Sequence, residues 1–351
     1  MSTTYILSSI NQSRLPTLDV APEGQYAGLQ PPEPSIISLL FPHLTWSTLW
    51  FSLLCIFVTL NIKTMPFMWH MRILNAFRFI LRTQRPAVPL GPMHIFQPLV
   101  TSSTAPLMEI DFNLHKSNSS YFADVDIART HLVCTLFARG IEAMRGGTGS
   151  LAGLSSGKPV FGLALGAVSC SFRREIKPMQ EFDMWSRVLA WDEKWVYIVT
   201  HFARKGAVEP SSWSLYPDQE LPEASKGLSG SGNEGGDPQR HIFATALSKC
   251  VFKSGRKTVA PELMLELSGL FPKAGEGEKR PGESTLEGIE TRRQKGLQLA
   301  QQLAAQNQQG LEAEFAGADC EALGRHTDGA GIVGVVNTLM QLAHLKRSQV
   351  L

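Results

Sequence analysis

Between residues 45 and 62 the chain runs TWSTLWFSLLCIFVTLNI, apolar on all sides and without one charged side chain. Eighteen helical residues would rise about 27 Å, close to the ~30 Å hydrocarbon layer of a bilayer, so this stretch predicts a transmembrane helix over 45–62. A buried helix of a soluble domain is the competing reading. Residues 1–44, rich in Pro, Ser and Thr, show no sustained period and predict a flexible tail. After the apolar run the pattern becomes amphipathic. MPFMWHMRILNAFRFILR places Arg72, Asn75, Arg78 and Arg82 on one helical stripe with Phe, Trp, Ile and Leu around the rest. Residues 63–97 are therefore expected to be a basic juxtamembrane segment lying in the lipid interface, with a helix packed on the globular domain as the alternative.

From residue 98 the periods are those of a folded domain, expected to extend to 270. LMEIDFNLH (107–115) predicts a strand. NSSYFADVDIARTHLVCTLFARGIEAMR (118–145) predicts one long helix, apolar on several sides, with Ser and Asn to cap its start and Asp124 near its positive dipole end. A Gly/Ser linker follows at 146–157. KPVFGLALGAVSCSFRREI, EFDMWSRVLAW, KWVYIVTHFAR and HIFATALSKCVFK then predict strands, the second and third joined by a tight turn at Asp192–Glu193. Residues 206–240 are polar and rich in Gly and Pro, and predict an exposed, disordered insertion. The C-terminal tail, 271–351, offers a polar helix near 286–315 and an apolar one near 331–346. A helix that buries most of its circumference, followed by antiparallel strands, has to lie inside a curved sheet. The expected class is α+β: a hot-dog fold, a curved antiparallel sheet around one long central helix, preceded by an N-terminal transmembrane helix.

Composition narrows the function. Apolar residues make up 43% and charged residues 18%, enough for a core. A net charge of +2, with no dense basic patch interleaved with aromatics, argues against a nucleic-acid partner. Cys55, Cys134, Cys170, Cys250 and Cys320 are scattered, never spaced for zinc, and read as thiols in a reducing compartment. No metal site and no cofactor is expected. Basic residues decide the orientation: Lys63, Arg72, Arg78, Arg82 and Arg85 follow the apolar run without an acid among them, and only Arg14 precedes it. The positive-inside rule then puts the folded domain in the cytosol and the short tail across the membrane. A single-pass protein of the endoplasmic reticulum would fit, with Asn11 in a sequon that can be glycosylated from the lumen.

DFNLHKSNSSY (111–121) is the candidate chemistry. Asp111, Asn113 and His115 fall at i, i+2 and i+4, one face of an extended segment, just before a helix N-terminus. That face could be an active site or an ordinary wet strand edge. Asp111 and Asn118 could equally cap the helix, His115 could be a structural histidine, and Tyr121 could be core. GLSSG (153–157) and GTGSLA (147–152) resemble a nucleophile elbow and a dinucleotide loop, but neither sits at a strand-to-helix turn, and both are set aside.

The same eleven residues resemble the D-x-N-x-H-x-N-N-x-x-Y signature of hot-dog thioesterases acting on acyl-CoA and acyl-carrier-protein substrates. Asp111, Asn113, His115, Asn118 and Tyr121 fall on it, and Ser117 departs from it. YFADVDIAR, FRREIKPMQEFDMWSRVLAWDEKWVYIVTHF and the upstream apolar run are similar to the branch of thioesterase superfamily member six and its fungal relatives, over residues 45–260. The resemblance implies a membrane-anchored hydrolase of an acyl-CoA or a carrier-protein-bound acyl or polyketide thioester. Asp111 would attack or activate water, Asn113 and His115 would orient it, and Asn118 and Tyr121 would adjoin the substrate. It also implies a homodimer through paired sheets. Two other readings stay open: a non-catalytic acyl-thioester-binding or scaffold protein, and a hot-dog hydratase or dehydratase. The latter is weakened by the missing Pro and the shorter Asp–His spacing.

Overall fold

A computed structural model describes residues 46–86, 88–146, 161–208, 210, 212–216, 238–271 and 286–304, with five helical positions between 332 and 343. The chain divides into two units, Met1–Thr59 and Leu60–Leu351. The tail before 46, its Asn11 sequon, the linker and most of the insertion lie outside the described residues.

The apolar run forms helix α1 (Trp46–Leu60), which buries none of its residues. Among the described residues no helix is long and apolar enough to cross a membrane. The 15 residues of α1 rise about 22 Å, short of the ~30 Å a span requires.

In the second unit, α2 (Met68–Asn75) runs into a π turn at Ala76–Ile80. The expected basic stripe is divided, with Asn75 and Arg82 exposed and Arg72 turned inward. Arg72 points inward to an ion pair and Ala76 is core, while Phe67, Met71, Leu74 and Phe77 are exposed.

The sheet contains β1 (Leu99–Thr104), β2 (Phe161–Phe172), β3 (Glu181–Trp191), β4 (Val196–Arg204), β5 (Ile242–Ser254) and the short β6 (Lys257–Val259). All pairings are antiparallel, in the order β1-β3-β4-β5-β2, and β6 folds back on β5 beyond the point where β4 begins. The central helix α3 (Asn118–Leu136) packs against the inner face. Tyr121, Val125 and Ala128 join Phe182, Met184 and Phe202 in one core cluster. Leu132, Val133 and Leu136 join Val188, Trp191, Ile198 and Phe252 in the other. A bulge between Val188 and Ala190 shifts the alternation of β3. Trp191 thereby joins the α3 side, while Leu189 and Ala190 pack with α6 (Leu286–Ala304) on the outer face.

The long helix expected over 118–145 breaks at Phe137, whose φ of −104° and ψ of 16° end α3 before α4 (Ala138–Gly146) begins. The bend lets α4 lie on α5 (Pro261–Leu267). The approach is so close that a Cβ on Gly140 would stand 2.6 Å from Ser268 Oγ and 3.1 Å from the Met264 carbonyl. The strand expected over 107–115 is absent. Among the described residues the first strand is the polar stretch Leu99–Thr104, followed by a 3-10 turn at Leu107–Glu109.

Candidate active site

A one-residue bridge between Ile110 and Lys116 closes the chain into a turn that carries the signature residues. Asp111 N–H donates to the His115 carbonyl at 3.0 Å, and Leu114 N–H to the Asp111 carbonyl at 3.0 Å. Asn113 N–H donates to Asp111 Oδ1 at 2.9 Å, the local side-chain bond that makes Asp a turn former. Leu114 takes a left-handed φ of 61°, unusual for a branched residue. The i, i+2, i+4 alternation therefore does not place three side chains on one face.

The turn nevertheless unites the two ends of the motif. His115 Nδ1 lies 3.6 Å from Asp111 Oδ1, and its Nε2 lies 3.9 Å from Glu175 Oε1. Nδ1 is also 3.3 Å from the Lys116 carbonyl, so a proton on it would be shared between that oxygen and the Asp111 carboxylate. Asp111 and His115 are partly exposed, at 28% and 20% of their side chains, which leaves both accessible to a reactant. Asn113 is exposed and enters only through its backbone, while Phe112 and Leu114 project into solvent. Glu175 was missed by sequence reasoning; only its place in the FRREIKPMQ stretch could have pointed to it.

Ser117 occupies the N-cap of α3 in extended conformation and makes no side-chain capping bond, contrary to the expected cap. Its hydroxyl lies 3.1 Å from Ser119 Oγ instead. Asn118 is exposed in the first helical turn. Tyr121, only 2% exposed, meets Phe172 and Phe202 edge-on at 5.1 and 4.9 Å, and burial pushes its phenol pKa up. It is a core residue of this chain. Burial likewise raises the thiols of Cys134 to about 12 and of Cys170 and Cys250 to about 11, so none is a ready nucleophile.

Beneath the turn lies a cluster of buried charges. Asp124, fully buried, faces Lys63 at 2.8 Å, Lys116 at 2.9 Å and Arg72 at 2.9 Å. Glu109 pairs with Lys63 at 3.0 Å and with Lys116. Asp124 lies beyond the first turn of α3, so its partners are side-chain cations rather than the helix dipole. Burial pushes its carboxyl up, and the attraction of Lys63, Lys116 and Arg72 outweighs this and holds it below the ordinary range. Among the described residues no group of three or more His, Cys, Asp or Glu gathers as a metal site.

A separate pocket lies along the C-terminal half of α3, lined by His94, Leu99, Leu132, Leu136, Trp213 and Tyr216 among others. Part of the expected insertion helps to form it: Ser214 Oγ donates to Gln97 Oε1 at 2.5 Å, and the Tyr216 hydroxyl to the Gln84 carbonyl at 3.2 Å.

The profile of the thioesterase-like superfamily matches residues 105–263. The chain is 34% identical to the probable thioesterase atnL of Emericella nidulans over 316 residues, 84% of this chain and 97% of the relative. It is 37% identical to the thioesterase poxG of Penicillium oxalicum over 258 residues, 70% of this chain and 80% of the relative. The probable thioesterase YBR096W of Saccharomyces cerevisiae is 32% identical over 164 residues, 46% of this chain and 51% of the relative. Among solved structures, the probable thioesterase YbaW of Escherichia coli aligns at a TM-score of 0.31 and 13% identity, over 49% of this chain and 97% of that one. A 4-hydroxybenzoyl CoA thioesterase mutant, complexed with 4-hydroxybenzoyl CoA, aligns at 0.30 and 12%, over 49% of this chain and 99% of that one. The antiparallel sheet around α3 is a hot-dog fold, and on the identity and coverage of its fungal relatives the chain belongs to the thioesterase-like superfamily.

Proposed function

We propose that the protein hydrolyses an acyl thioester, presented on coenzyme A or on a carrier protein, at the turn Asp111–His115. The observation that carries this reading is the convergence of a carboxylate and an imidazole, 3.6 Å apart and both accessible, beside the N-terminus of α3, whose N-cap makes no side-chain capping bond. Asp111 takes a proton from water as the water oxygen attacks the thioester carbon. Amides of the first helical turn polarise the carbonyl, the C–S bond breaks, the departing thiolate takes the proton back from Asp111, and acid and free thiol leave. His115 orients Asp111 through their contact. Asn113 acts through its backbone N–H on Asp111, not through its side chain, and Asn118 is the exposed side chain nearest the helix start for contact with substrate.

We further propose a homodimer joined through β2. That strand ends the sheet order, its 12 residues carry no charge, and Leu165 and Phe172 on it are 44% and 41% exposed. A long, apolar, unpaired edge is an association surface, and a partner there would cover the open side of the site. Helix α1, with every residue unburied and apolar side chains all round, is proposed as part of a membrane anchor that holds the domain on the cytosolic side.

Wild type and Asp111→Asn assayed against a panel of acyl-CoA and acyl-carrier-protein thioesters test the reading. Hydrolysis by the wild type, reduced at least ~10²-fold in the variant, is the expected result. Tight binding without turnover in both would replace it with the acyl-thioester-binding protein.

A further inference from the structure

The superfamily match begins at residue 105, yet two of the three cations around Asp124 come from before it. Lys63 Nζ donates to the Thr104 carbonyl at 2.8 Å, to Glu109 Oε2 at 3.0 Å and to Asp124 Oδ2 at 2.8 Å. Three acceptors saturate an ammonium group. Arg72 donates to the other Asp124 oxygen at 2.9 Å, and Asn61 Oδ1 accepts the Met108 N–H at 2.8 Å. The segment around 61–72 is thus tied at several points to the chain leading into the catalytic turn and to the helix leading out of it.

The partners chosen matter more than their number. Glu109 and Lys116 stand on the two limbs of the turn, and they pair with each other. Glu109 also accepts the Ser117 N–H on its carbonyl at 2.7 Å, and Lys116 N–H donates to the Ile176 carbonyl at 2.8 Å, close to Glu175. Lys116 directly follows His115, so its side chain sets where the imidazole stands relative to Asp111. Lys63 grips Glu109 on one limb and, through Asp124, Lys116 on the other. A buried cluster that served stability alone would be replaceable by apolar side chains of similar volume at little cost. This one spans the turn.

We propose that Lys63 and Arg72 are positioning residues for Asp111 and His115, so that the segment following the apolar helix is a working part of the catalytic domain. The proposal rests on the reading of Asp111 as catalytic, but its physical half, that the segment holds the turn, is measurable without substrate. The full chain in detergent would be compared as wild type, Lys63→Met and Lys63→Arg. Readouts are kcat and KM on the best acyl thioester, and hydrogen exchange in a peptide spanning residues 108–118 against peptides from β4 and β5. Lys63→Met is expected to lower kcat about 10- to 100-fold, as misplacement of a reacting group does, with KM unchanged. Faster exchange should be confined to 108–118, and Lys63→Arg should recover most of both losses. Unchanged exchange at 108–118 would overturn the proposal, as would a faster rate spread evenly over the sheet peptides. Should wild type turn over no thioester, the hydrolase reading fails while exchange still decides the positioning. Should Lys63→Met not fold, Arg72→Gln, which removes one bond from the rim of the cluster, takes its place with the same readouts.

Discussion

Replacing Asp124 by Asn keeps the shape of the side chain and deletes one charge at the centre of the cluster. Asp124 is fully buried and meets Lys63, Lys116 and Arg72 at 2.8–2.9 Å, so the variant leaves Lys63 and Lys116 sharing Glu109 and deprives Arg72 of its carboxylate. Removing one partner of a buried ion pair costs about 3–5 kcal/mol because the other charge stays desolvated. Domains hold only about 5–15 kcal/mol in total. At about 2–4 °C per kcal/mol, melting should fall by about 6–20 °C at pH 7. The pH dependence carries a second signature. The folded carboxyl is held below its ordinary pKa, so its stabilisation is fully present above the unfolded value near ~3.9 and is lost as pH falls through the folded value. The gap between wild type and Asp124→Asn should therefore be widest at neutral pH and close in acid. Melting of both proteins between neutral and acidic pH, by circular dichroism in the same detergent, measures it. A variant that melts with wild type at pH 7, or a gap that does not narrow in acid, would refute the assignment of Asp124 as the hub of the cluster.

Three further outcomes follow from the packing and the proposed topology. Gly296→Ala puts a Cβ 2.1 Å from the Leu189 carbonyl, so α6 must lift from the outer face of the sheet, and denaturant unfolding should show a loss of about 1–3 kcal/mol; an unchanged midpoint would contradict the contact. Leu165→Lys places a charge on the edge strand β2 and should turn a dimer into a monomer by sedimentation, whereas a dimer that persists would place the seam elsewhere. Expressed in a secretory-competent cell, the chain should carry a glycan on Asn11 and none on Asn118; a glycan on Asn118 would invert the proposed topology.

Strands β3, β4 and β5 were legible because each presents a long apolar run bounded by a clear turn, and β3 begins and ends where EFDMWSRVLAW does. Their burial on both faces was harder to read, since the outer cover comes from α6, more than thirty residues after β5. The turn at 111–115 defeated the reading of alternation for a physical reason. An i, i+4 pair can meet across a tight turn as readily as it can line up along a strand, and the left-handed position that decides between them is a Leu rather than a Gly, Asn or Asp. The motif singled out Asp111 and His115, whose side chains the turn brings together, whereas Asn113 meets Asp111 through its backbone N–H. The ion cluster was not legible at all. Lys63 and Arg72 look like lipid-facing cations in an apolar neighbourhood, and only tertiary contact shows that they face Asp124. The break at Phe137 carries no Gly or Pro of its own, and it accompanies the packing of α4 on α5, a contact made far along the chain.

Single-turnover release of thiol from the preferred acyl thioester tests the central claim most directly, measured for wild type and Asp111→Asn alongside equilibrium binding of the same substrate. Asp111→Asn is expected to bind as wild type does and to release thiol at least ~10²-fold more slowly. Release at the wild-type rate by a folded Asp111→Asn protein would contradict it.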